Sequence, residues 1–174
     1  MNVAIIGAGA LGRSFALACA RAGLPVVLED VMPDKLRQAG VEFASLGHAV
    51  RLVSTVEDAV ADADIVIDFV PDDLESKLEI WSLLDRMAPP RTILCTPSEI
   101  LSITDLASCT YRADRCIMAR GPLTGPLQLL TARQTSAATL DHATRLFTAI
   151  GCTLTSLPDP DLPQLLKNMH ATIL

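Results

Sequence analysis

The sequence predicts an α/β fold: a doubly wound, mainly parallel sheet with helices on both faces and one trailing C-terminal helix. Three observations carry this. Short apolar runs alternate with amphipathic segments, the pattern of strand–helix–strand units joined by right-handed crossovers. The runs "VAII" (3–6), "VVLE" (26–29) and "DIVIDFV" (64–70) are nearly continuous in apolar residues, which marks strands buried on both faces. The first run leads directly into a glycine cluster, "GAGALG" (7–12).

The elements follow in order. "VAII" is the first strand, and Leu11, Phe15, Ala18 and Ala22 then recur at helical spacing until Gly23 and Pro25 stop the helix. "VVLE" is the second strand and "PDKLRQA" (33–39) a short helix with proline at its start. "VRLVS" (50–54) reads as a third strand, and Thr55 as the cap of a brief helix ending near Ala61. After "DIVIDFV", the stripe Leu74, Leu78, Trp81 and Leu84 marks a longer helix, followed by a strand at "TILCT" (92–96). Ser102 and Asp105 have the spacing of a capping box. Ile117, Met118 and Ala119 are the inside of a further short strand, which gives out at Arg120 before a Gly-Pro break and a second apolar run. A helix from about Ala137 to Ile150 stops at Gly151, and "TLTS" (153–156) reads as a last strand. "DPDLP" is a hinge, and Leu162, Leu165, Leu166, Met169 and Ile173 form the apolar stripe of a final helix. The expected division is a domain over 1–157 and a hinge plus helix over 158–174.

A chain of 174 residues, half of them hydrophobic, suits one compact core. Only six residues are aromatic, so Leu, Ile, Val and Ala must fill it. The net charge of −6 argues against a nucleic-acid partner. Cysteines at 19, 95, 109, 116 and 152 are odd in number and contain no Cys-x-x-Cys, which reads as free thiols in a reducing cytoplasm. His48, His142 and His170 form no ligand cluster with them, so no metal is expected. The N-terminus lacks the basic region of a signal peptide, and no run is long and apolar enough to span a bilayer.

Gly7-Ala8-Gly9-Ala10-Leu11-Gly12 is a complete G-x-G-x-x-G between a strand and a helix. The bland reading is a glycine-rich turn without a ligand; the strand before it, the helix after it and the acid beyond favour a Rossmann-type dinucleotide site. Gly7 makes the turn, Gly9 lets the backbone approach a pyrophosphate lying on the helix N-terminus, and Gly12 lets helix and strand pack. Asp30 follows Gly12 by 18 residues and can accept from the hydroxyls of the adenosine ribose. A carboxylate there repels a 2′-phosphate, so NAD is expected over NADP. A second stretch, Val70-Pro71-Asp72-Asp73-Leu74-Glu75-Ser76-Lys77, lies past the carboxyl end of a buried strand. On its residues alone it is an ordinary helix start with acids in the first turn.

With these pieces together, the chain resembles the NAD-binding domain of the 3-hydroxyacyl-CoA dehydrogenases. The likeness is carried by "VAIIGAGALGRSFALACARAGLPVVLED", "ADADIVIDFVPDDLESKLEIWSLLD", "RTILCTPSEILSITDLA" and "TSAATLDHATRLFTAIG". It implies cofactor contacts from Gly7, Gly9, Ala10, Leu11 and Gly12, from Asp30, and from Val70, Asp72 and Lys77. It also implies a small-molecule substrate, with an acyl-CoA as the family's example.

The departures fall on the family's catalytic positions. Its histidine position after the strand holds Arg120 here, the glutamate partner position holds Ala132, and the serine position after the "IL-x-T" strand holds Glu99. Arginine stays protonated and cannot be a general base. Arg120 and Glu99 are therefore the catalytic candidates, with several readings open: Arg120 anchoring an anionic substrate, Arg120 polarising a carbonyl, an Arg120–Glu99 salt bridge, or a solvated arginine. A non-catalytic NAD-binding or regulatory protein is a further reading, as is a reductase of another small anionic substrate. The helical excursion expected after the second strand is mostly missing. The sequence given reaches only the first helix of the family's C-terminal domain, whose stripe predicts a homodimer packed through that helix. Lys167, Asn168 and His170 on it read as solubilising residues. Cys95 and Cys116 read as buried and inert, and Asp68 as a structural acid needing a partner inside the fold.

Overall fold

The computed structural model describes residues 1–123 and 125–160. Eight strands form one sheet in the order β3-β2-β1-β4-β5-β6-β7-β8. They are β1 (Val3–Ile6), β2 (Val26–Glu29), β3 (Arg51–Val53), β4 (Ile65–Asp68), β5 (Ile93–Pro97), β6 (Cys116–Arg120), β7 (Pro126–Thr131) and β8 (Thr153–Pro158). The first six run parallel. β7 turns back against β6, with Ala119 opposite Leu129, and β8 runs parallel to β7. This is the doubly wound Rossmann arrangement, extended at one side by a reversed pair of strands.

Alternation along the buried strands divides the core into two layers. Val3, Ile5, Leu28, Ile65, Ile67, Ile117 and Ala119 point to the face covered by the helices α1 (Ala10–Arg21), α2 (Pro33–Ser45) and α6 (Ala137–Ala149). There Phe15 stacks obliquely on Phe69 and Phe147, with ring centroids 5.6 and 5.8 Å away. Ala4, Ile6, Val66, Leu94 and Met118 point to the other face, under α3 (Val56–Val60), α4 (Leu74–Met87) and α5 (Ile103–Ser108). Trp81, Leu84 and Leu106 fill that layer.

The helix starts follow the sequence closely. Thr55, Ser102 and Ser136 accept from the amides of Asp58, Asp105 and Thr139, and Asp73 does the same for Ser76. Several boundaries differ from expectation. The helix after β2 does not stop at Ala39 but continues through Gly40 to Ser45. The continuation buries Phe43 to 2% exposure and sets Glu42 against Arg13. β4 ends at Asp68, short of Val70, because the chain must leave the sheet there to begin the loop into α4. β8 runs to Pro158, and Asp159 is fastened behind it: its Oδ2 accepts from Ser102 Oγ (2.7 Å) and the Thr104 amide (2.8 Å). The C-terminal helix, with Lys167, Asn168 and His170, and the dimer contact expected of it lie outside the described residues. Among the described residues, no helix is long and apolar enough to cross a membrane.

Candidate cofactor and active site

The glycine turn has the geometry its sequence requires. Gly7 leaves β1 with φ +102°, a conformation that favours glycine, and its amide donates to the Glu29 carbonyl at 2.8 Å. A Cβ on Gly12 would stand 1.9 Å from the Gly7 carbonyl oxygen, so α1 packs on β1 only with glycine there. Gly9 is the N-cap of α1 and makes no side-chain capping bond, and the space where its Cβ would lie is empty. The first amides of α1, including Ala10 and Leu11, thus face an open cradle of positive potential, which fits a diphosphate. Arg13, a residue the motif alone does not single out, braces the turn: its Nη1 donates to the Ala8 carbonyl (2.9 Å) and its Nε to Glu42 Oε2 (2.8 Å).

Asp30, just past β2, is tied to the glycine turn. Its Oδ2 accepts from the Ala8 amide at 2.8 Å and its Oδ1 from the Met32 amide at 2.9 Å, with Lys35 Nζ 3.3 Å from Oδ2. Burial pushes this carboxyl upward, but the Met32 and Ala8 amides and Lys35 together outweigh it and hold it below the ordinary aspartate value. Glu29, one residue earlier, is 2% exposed and its Oε1 has no hydrogen-bond partner. Burial, reinforced by the charge of Asp30, raises it to about 7.

Between β1 and β4 the strand order reverses direction, and a ligand crevice is expected beyond the carboxyl ends at such a point. A cavity of about 740 Å³ lies there. Leu11 and Phe15 of α1 form one wall; Phe69–Asp72, Pro97–Glu99 and Gly121–Leu123 form the others. A second cavity, of about 530 Å³, sits at the opposite, amino end of the sheet beside Asn2, Pro25 and Arg51, away from the glycine turn.

Val70, Asp72 and Lys77 all line this crevice. Asp72 Oδ2 accepts from the Glu99 amide at 3.0 Å, tying the loop after β4 to the loop after β5. Lys77 is held differently from the free contact expected of it. At 1% exposure, its Nζ donates to Asp68 Oδ1 (2.6 Å) and to the Pro97 carbonyl (3.2 Å). Asp68 Oδ2 accepts from Trp81 Nε1 at 2.9 Å. The acid inside β4 therefore has partners for both oxygens, as a buried structural carboxylate requires.

Arg120 follows Met118 on the α5 side of the sheet, whereas Ala119 faces α1 and α6. Its Nε donates to the Ser98 carbonyl (3.1 Å) and its Nη2 to the Leu101 carbonyl (2.9 Å), so the guanidinium braces the loop after β5. It is not among the crevice-lining residues. The Arg120–Glu99 salt bridge entertained above is not formed among the described residues. Glu99 Oε1 instead accepts from the Gly121 amide at 2.8 Å, and Glu99 lines the crevice. Ala132 is buried beyond the end of β7. Among the described residues, no cluster of three or more His, Cys, Asp or Glu side chains could hold a metal. Cys95 and Cys116 are buried in the sheet, and burial raises both thiols, Cys116 to about 12, which leaves them protonated and unreactive.

Comparison with known proteins agrees with this geometry. The model of the 3-hydroxyacyl-CoA dehydrogenase NAD-binding domain matches residues 2–46 and 38–157. A probable 3-hydroxybutyryl-CoA dehydrogenase of Bacillus subtilis is 31% identical over 134 residues, covering 67% of this chain and 46% of that protein. The lambda-crystallin homolog of Mus musculus is 31% identical over 174 residues, covering 86% of this chain and 54% of that protein. Among solved structures, the (S)-3-hydroxybutyryl-CoA dehydrogenase of Ralstonia eutropha superposes with TM-score 0.83 at 25% identity, over 97% of this chain and 68% of that one. The chain thus spans about half the length of these curated relatives. The match of the NAD-binding-domain model over residues 2–157 makes the cofactor NAD, and the chain belongs to the 3-hydroxyacyl-CoA dehydrogenase family, whose NAD-binding domain it forms.

Proposed function

We propose that the chain is the cofactor-binding part of an NAD(H)-dependent oxidoreductase acting between a hydroxyl and a carbonyl group, in which proton transfer does not pass through a histidine of this domain. The observation that carries the reading is the pairing of Arg120 with the Ser98 and Leu101 carbonyls, away from the crevice, while the Glu99 carboxylate lines the crevice and accepts from the Gly121 amide. NAD supplies a hydride acceptor when bound. Around it, the uncapped α1 terminus and Asp30 hold the cofactor, Asp72 fixes the Glu99 loop, and Lys77 with Asp68 stiffens the floor. The Glu99 carboxylate is the group placed to take the proton of a substrate hydroxyl. Arg120 acts on it as a positioning residue through the shared loop.

Calorimetry with NAD, followed by assays of NADH oxidation against acetoacetyl-CoA and a panel of small keto acids, tests the reading. NAD should bind, and Asp30→Ala should weaken it by about 1–3 kcal/mol, the scale of charge-assisted hydrogen bonds. Turnover should depend on Glu99, with Glu99→Gln lowering it by about 10²–10⁴, the usual contribution of a general base. Turnover unchanged in Glu99→Gln would overturn the proposal. Hydride transfer to no member of the panel would favour a regulatory NAD-binding role. We further propose a homodimer through the apolar stripe of 162–173; light scattering should show a dimer for the full chain and a monomer for a chain ending at Pro160, which keeps β8 and Asp159 intact.

A further inference from the structure

Asp30 is the residue that should exclude a 2′-phosphate, yet its charge is not unopposed. Lys35 Nζ lies 3.3 Å from Asp30 Oδ2, and the Lys35 side chain is half exposed and lines the crevice. α2 places it there. Pro33 opens the helix, the Lys35 amide bonds back to the Met32 carbonyl at 3.1 Å, and the side chain leaves from the first turn, directly after the Asp30 loop. The other two partners of Asp30, the Ala8 and Met32 amides, are backbone and fixed. Lys35 is the one that can turn outward to meet a ligand.

The neighbouring charges leave it in this role. Arg13 is committed to Glu42 and the Ala8 carbonyl, and Arg37 pairs with Asp34 farther along α2. Lys35 is therefore the cation at the edge of the ribose pocket with a long, mobile side chain and an open approach. We propose that Lys35 is a cofactor-specificity residue: its ammonium neutralises Asp30 and faces the 2′ position of the adenosine ribose, so the site admits the 2′-phosphorylated dinucleotide alongside NAD(H). An aspartate alone repels a phosphate dianion, while an aspartate–lysine pair presents almost no net charge and offers a donor when the lysine swings out.

The inference rests on the NAD-binding reading, and one experiment separates the two. NADH and NADPH are titrated by fluorescence into the full chain, the wild type and its Lys35→Ala, Lys35→Glu and Lys35→Arg variants. The Kd ratio of NADPH to NADH should rise about tenfold in Lys35→Ala, the scale of one lost charge-assisted contact. It should rise further in Lys35→Glu and stay near the wild-type value in Lys35→Arg. Added salt should weaken NADPH binding more in the wild type than in Lys35→Ala. An unchanged ratio in Lys35→Ala, with NADH still bound, overturns this inference alone. Failure of the wild type to bind NADH overturns the NAD-binding reading with it.

Discussion

Glu29 and Asp30 are adjacent acids with opposite fates. Asp30 receives two backbone amides and a lysine; Glu29 is turned under the sheet, where its Oε1 meets no donor. Across the sheet, Ile6 stands opposite Glu29 on one side and Asp68 on the other, yet Asp68 has Lys77 and Trp81 to accept from. Burial first, and the Asp30 charge second, lift Glu29 from an ordinary 4.5 to about 7. The folded state therefore prefers the proton. The stabilisation this brings is complete below pH 4.5, where both states are protonated, and is lost as the pH rises through about 7. Between pH 5 and pH 8 the wild type should lose about 2–3 kcal/mol that Glu29→Gln does not. Urea titrations at several pH values would show it; parallel stability curves for the two proteins would refute it. In the sequence, Asp30 stood out through its spacing from Gly12. Glu29 did not, because a carboxyl at a strand end is unremarkable until the face it points to is known.

At the scale of elements, the capped helices and doubly buried strands were legible because each rests on local rules: a hydroxyl or carboxylate before the helix, an unbroken apolar run inside the sheet. The sequence reading of 33–39 falls short of the end of α2, because what carries the helix on to Ser45 is tertiary: the burial of Phe43 and the pairing of Glu42 with Arg13. β7 was visible only as an apolar run; its antiparallel direction follows from the short link 121–125, which is too short for the crossover a parallel strand needs. The Arg120–Ser98 and Arg120–Leu101 bonds could not be read either, since they join side chain to backbone across two strands. Arg112 is a similar case with a larger structural part. Its guanidinium binds Asp85 at 2.9 Å and the carbonyls of Asp85, Ala88 and Pro89, closing the C-terminus of α4 while almost fully buried. Arg112→Ala would strand a buried aspartate and several carbonyls, and should cost about 3–5 kcal/mol. Chemical denaturation should show a lower midpoint with little change in slope, and a loss below 1 kcal/mol would contradict this account.

Taken whole, the molecule is a sheet whose crevice-bearing rim is assembled from loops far apart in sequence. The glycine turn, the Asp30 loop, Asp72, Glu99 and Gly121 meet at one rim because parallel strands deliver all their carboxyl ends to the same side. The reversal at β7 has a consequence for how such a sheet comes together. Among the described strands, β6 and β7 are the only neighbours joined without an intervening helix. Every other pairing must close a longer stretch of chain, at greater entropic cost, before any contact repays it. The β6–β7 hairpin should accordingly be ordered in the rate-limiting transition state, with the parallel centre added later. Stopped-flow refolding would test this. Leu129→Ala, in the hairpin and 1% exposed, should slow folding with a φ-value of about 0.5 or more. Ile67→Val, at the centre of β4, should mainly speed unfolding, with φ below about 0.3. The reverse pattern would put the nucleus in the parallel strands. With the hairpin first, Gly121 and its neighbours would be in place before the glycine turn exists, and the crevice would take shape from its β6 wall toward its β1 wall.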